Sequence, residues 1–127
     1  MKPNQIISLT CVVLALVLLA REQEYIPEPK PEVVNAYVVE ESGDRRDYPP
    51  EYPSIIMSPE VRGLFPKFRL IDKDDNADAA LGALVERAKA RGLPTLFLVD
   101  PSGEVHWEGD VPLTVEGWQQ IRDEVTQ

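Results

Sequence analysis

Asp72, Asp74, Asn76 and Asp78 place oxygen-bearing side chains at positions 1, 3, 5 and 7 of a loop that would wrap a hard cation such as calcium. Two requirements of that chemistry fail, because Ala77 stands where the sharp turn needs glycine and Ala83 where a bidentate glutamate closes the shell. Acids that favour the amino end of a following helix account for the same residues. Ser42 and His106, with an acid, would supply the parts of a hydrolytic triad, but there is no Gly-x-Ser-x-Gly elbow and no spacing that joins them. His106 is therefore expected on a strand face beside Trp107, as a packing or surface residue. Arg45 and Arg46 would suit an anionic ligand, although two solvated charges in a loop are the ordinary case. Cys11 is the only cysteine, which excludes an internal disulfide, a Cys-x-x-Cys redox pair and a multi-cysteine zinc site. No metal and no cofactor is expected from these residues.

These groups sit on a chain of 127 residues with net charge −9 and 12 prolines, room for one small domain. Without a basic cluster to displace counterions, nucleic acid is excluded as a partner. Lys2 and Arg21 are the only charges in the first 21 residues, so all of the acid falls later. Residues 6–20, IISLTCVVLALVLLA, form an uncharged run that would span roughly 22 Å as a helix, between a signal-peptide core and a short membrane anchor. A cut after Ala20 would put Leu18 where a small residue is preferred, so residues 1–21 read as an uncleaved signal anchor, with secretion as the outcome if they are removed. Lys2 before the run and Glu22 and Glu24 after it direct the rest of the chain outside the cytoplasm. Residues 22–32 carry Pro27, Pro29 and Pro31 at alternate positions, the pattern of a stiff extended tether.

The elements that must position the candidate residues lie in 33–127. Residues 33–41 are β-rich and nearly all apolar, as in a strand covered on both faces. Residues 42–53, with Gly43, Pro49, Pro50 and Pro53, are expected to be a loop. Ser58, Pro59 and Glu60 are an N-cap, an N1 proline and a first-turn acid, predicting a short helix over 59–65, with a backward extension through Ile55 to Met57 as the other possibility. Residues 67–72 predict a strand. Ala77, Ala80, Leu81, Leu84, Val85 and Ala88 then follow helical spacing, closed by Gly92. Residues 95–99 and 104–108, joined by Asp100-Pro101-Ser102-Gly103, predict an antiparallel hairpin, and Thr114 caps a last helix with Val115, Trp118, Ile121 and Val125 on its apolar side. The order β-α-β, α, β-β-α makes the first strand pair parallel and predicts a mixed four-stranded α/β sheet with helices on both faces.

That order, with the segment GLPTLFLVDPSGEV from Gly92 to Val105 and FRLIDKDDN before the long helix, resembles the thioredoxin family over residues 33–127. The resemblance implies a cis bond at Pro94 and a peptide-accepting surface beside it. The family's Trp-Cys-Gly-Pro-Cys-Lys site corresponds to Glu41-Ser42-Gly43-Asp44-Arg45-Arg46, so Ser42 takes the nucleophile's place and Arg45 that of the resolving cysteine. A serine hydroxyl has neither the acidity nor the redox chemistry of a thiol, and Cys11 lies in the apolar run, so oxidoreductase activity is not carried over. Two classes stand: a membrane-tethered protein- or peptide-binding module, and an enzyme or redox-pathway component that uses a partner's thiols. The absent thiols favour the first. The resemblance places its docking residues at Leu93 and Pro94, with the loop from Ser42 to Arg46 as the opposite wall and Arg45 and Arg46 favouring an acidic segment.

Overall fold

Two central strands with apolar side chains on both faces organise the structure, a computed structural model that describes residues 29–75 and 78–127. Strand β1 (Asn35–Glu40) sends Ala36 and Val38 to one face and Val39 to the other. It pairs in parallel with β2 (Phe68–Asp72), Val38 opposite Leu70, and antiparallel with β3 (Thr95–Val99), Val39 opposite Thr95. Strand β4 (Val105–Gly109) completes the sheet in the order β2-β1-β3-β4, antiparallel to β3. The parallel and antiparallel pairings predicted for the two ends of the chain are those observed. All five residues of β3 are buried, as a strand inside a two-sided sandwich requires.

Helix α3 (Ala79–Arg91) covers one face with Leu81, Leu84, Val85 and Ala88 against Val39, Ile71, Phe97 and Val99. Its N-cap is Asp78, whose carboxylate accepts from the Leu81 N–H at 2.8 Å, and it ends at Gly92 with φ +123°, a conformation open to glycine. The other face carries α1 (Tyr52–Ile56), α2 (Pro59–Arg62) and α4 (Val115–Thr126). Fully buried Trp118 of α4 meets Phe65 and Phe68 with ring centroids 5.8 and 5.7 Å away, and its indole N–H donates to the Pro112 carbonyl at 2.9 Å. Its apolar mass therefore packs without an orphaned donor.

Four expectations need correction. The segment read as a loop contains a 3-10 helix (Ser42–Asp47) and then α1. Pro53 sits in the first turn of α1, where a missing N–H costs nothing, and Ile55 and Ile56 supply its buried side. Ile55 to Met57 thus belong to a separate helix and its cap, not to an extension across Pro59. Helix α2 is a single turn, capped by the Ser58 hydroxyl accepting from the Val61 N–H, and stops at Gly63. Strand β1 is shorter than 33–41, since the Glu41 N–H leaves the ladder to donate to the Tyr48 hydroxyl at 2.9 Å.

Residues 6–20 and Cys11 lie outside the described residues, as do Asn76 and Ala77. Among the described residues no helix is long and apolar enough to cross a membrane. Residues 29–32, the end of the segment expected to be a tether, are described: Lys30 donates to the Glu124 carbonyl in the last turn of α4 at 3.2 Å, where unpaired carbonyls attract a cation.

Candidate functional site: a cleft beside Leu93 and Pro94

Parity along β1 puts Glu40 on the same face as Ala36 and Val38, so its carboxylate is delivered into the layer beneath α1 with only 1% of the residue exposed. Burying a carboxylate is costly unless its oxygens find partners. The Tyr52 hydroxyl donates to Oε2, and the Arg45 guanidinium donates to Oε1 through Nε at 2.9 Å and through its second nitrogen. Burial, followed by the bond to Glu40, pushes the Tyr52 phenol far above its usual range, so it remains a donor. The carboxylate in turn raises the Arg45 guanidinium. Tyr48 stacks edge-on against Tyr52 at 5.0 Å and closes the cluster.

Arg45 is therefore not one of two solvated charges. It folds back onto a buried acid, while Arg46 is exposed. Sequence reading missed Glu40 because it ends an apolar strand, where a charge reads as the residue leaving the sheet; its place in the inward-facing parity was the available signal. Ser42 is also engaged: its N–H and hydroxyl both donate to Asp72 Oδ1, at 3.0 and 2.9 Å. These two bonds hold the Asp72 carboxyl below the usual range, which makes it a poor base for activating a hydroxyl. Asp72 Oδ2 accepts from the Asp74 N–H and Asp78 caps α3, so these acids of the notional calcium loop serve the backbone.

Beyond the cluster, the turn from α3 into β3 forms one wall of an open cleft of about 390 Å³. Gly92, Leu93 and Pro94 line it together with Pro49, Tyr52, Val111 and Leu113. The Leu93–Pro94 peptide bond is cis, as the resemblance implies. Neither the N–H nor the C=O of Leu93 has a partner among the described residues. At the rim Arg91 pairs with Asp110 at 3.0 Å. The structure thus keeps Leu93 and Pro94 together in a cleft, but Ser42 and Arg45 are not among its lining residues; Pro49 and Tyr52 line it in their stead. The 3-10 helix carries Ser42 to Asp72 and Arg45 to Glu40, which engages both side chains away from the cleft.

A second polar cluster occupies the β3–β4 hairpin. Asp100 Oδ1 accepts from the Ser102 N–H, the Ser102 hydroxyl and the Glu104 N–H, and Oδ2 meets His106 Nε2 at 2.8 Å. The Ser102 hydroxyl, then His106, hold the Asp100 carboxyl far below its ordinary range. With Glu104, these are the described residues whose donors come close enough together to hold a metal ion. His106 does lie on a strand beside Trp107, half-buried, but its bond to Asp100 was not foreseen.

No known protein family, curated protein or solved structure matches the chain.

Proposed function

We propose that the chain is a thioredoxin-like docking module, tethered at the extracytoplasmic face of a membrane by its amino-terminal segment and kept for binding an extended segment of another protein. The strand order and pairings support the family reading, and the thiol-less Ser42 and Arg45 positions support a role without redox chemistry. One observation carries the binding reading: Leu93, whose N–H and C=O have no partner among the described residues, lines a cleft together with Pro94, Pro49, Val111 and Leu113. An incoming strand can pair with those groups while one of its apolar side chains fills the space between Leu93, Pro49 and Leu113. The acidic preference attached to Arg45 and Arg46 is dropped, because Glu40 already neutralises Arg45, neither arginine lines the cleft, and Asp110 neutralises Arg91 at the rim. The tether enters before β1 and the cleft opens beyond its far end, so a six-residue strand of about 20 Å separates attachment from docking surface.

The test is selection of a random peptide library on the full-length chain. The reading requires enriched apolar-containing peptides whose binding is lost in Leu93→Asp while the melting temperature stays within a few degrees; peptides that bind both proteins equally contradict it. An alkaline phosphatase reporter fused after Gln127 should be active, and an inactive fusion contradicts the proposed location.

A further inference from the structure

The β3–β4 hairpin holds one imidazole nitrogen and two carboxylates in a small space, and the geometry points to a divalent transition-metal site formed by Asp100, Glu104 and His106. Asp100 is fixed in advance, because Oδ1 is occupied by three donors from Ser102 and Glu104 and the turn is closed by the Asp100 N–H to the Glu104 carbonyl at 2.9 Å. Only Oδ2 is left to face the histidine. Glu104 and His106 are two residues apart on the extended arm that becomes β4, so their side chains share a face. Glu104 Oε2 lies 4.0 Å from His106 Nε2, too far for a hydrogen bond, and Oδ2 lies 2.8 Å from it. Around a tetrahedral ion with ligand bonds of about 2.0–2.1 Å, neighbouring donors stand about 3.3 Å apart. The observed separations bracket that value, and a small swing of Glu104, whose side chain is 66% exposed, closes the set.

Chemistry selects the ion. An imidazole with two carboxylates suits zinc or a similar first-row divalent ion, whereas calcium prefers six or more oxygens. Among the described residues no lysine or arginine pairs with either carboxylate, so an ion displaces no existing cation. The exposed side of Glu104 leaves a fourth position for water or an external donor.

Titration of the full-length chain with cobalt(II) alone gives the test, since its visible absorption reports the coordination geometry, followed by zinc in competition. The site requires saturable one-to-one binding at micromolar metal with tetrahedral-type absorption, abolished in His106→Asn and weakened at least tenfold in Glu104→Gln. Glu104→Gln keeps the backbone N–H that Asp100 uses, so the turn persists and the variant reports ligation and not folding. No saturable binding, or equal affinity in wild type and both variants, overturns the site and leaves the His106–Asp100 pair as a hairpin clasp.

Discussion

Both ends of β3 carry a carboxylate with shaped surroundings, yet the two differ in what they have left to give. Glu40, beside the amino end of β3, is buried and has both oxygens taken, by the Tyr52 hydroxyl and the Arg45 guanidinium. Asp100, after the carboxyl end, has one oxygen committed to the turn and the other aimed at His106 in partial contact with water. A buried polar group must be satisfied from within or destabilise the fold, so the Glu40 cluster builds the floor beneath the cleft and offers no free valence. Its partial exposure frees Asp100 from that demand. Burial, more than residue type, separates a structural acid from one able to meet a ligand.

The largest expected effect is at the buried end. Glu40→Ala strands the Tyr52 hydroxyl in the core and should cost about 1–3 kcal/mol, because Arg45, with 41% of its side chain exposed, can turn to water while Tyr52 cannot. Denaturant unfolding measures it; unchanged stability would mean the acid is not held as described. Tyr52→Phe leaves one oxygen of Glu40 without its donor and should cost a similar amount. The double change Glu40→Leu with Tyr52→Phe should be milder than the sum of the singles, since replacing both partners by apolar groups removes the orphan as well as the bond. Full additivity would show that the two groups are not coupled.

The hairpin end should respond less to deletion and more to pH. Gly103 has φ +96°, so Gly103→Ala should cost about 1 kcal/mol, read as a lowered denaturation midpoint. Asp100 has its carboxyl lowered in the folded state, so the unfolded chain binds the proton more readily. Its contribution is complete above the ordinary carboxylate value near pH 4 and is lost as the pH falls from there towards the lower folded value. Melting temperature followed below pH 4 should fall less steeply in Asp100→Asn than in wild type, and parallel profiles would remove the hairpin from the acid response.

How much of this was legible in the sequence differed along the chain for physical reasons. The β3–β4 hairpin and α3 followed from local signals: Asp-Pro-Ser-Gly is a turn by its own chemistry, and Gly92 closes a helix whose apolar spacing stands alone. Residues 42–57 were opaque because proline marks loops and first helical turns alike, and only burial of Tyr52, Ile55 and Ile56 against β1 decides between them. Leu93 and Pro94 were found through the segment they sit in, while Pro49 and Tyr52 as further lining residues needed the fold of that opaque stretch. The Glu40 cluster joins residues up to 12 apart in sequence through a strand, a 3-10 helix and a helix, two of which local propensity did not specify.

Amide shifts of the isotope-labelled full-length chain, titrated with a peptide taken from the library selection, test docking at the cleft most directly. The account predicts perturbations centred on Gly92, Leu93, Thr95, Val111 and Leu113, with Ser42 to Asp47 little changed. Perturbations confined to the hairpin, to α4 or to the 3-10 helix, with Leu93 and its neighbours silent, would contradict it.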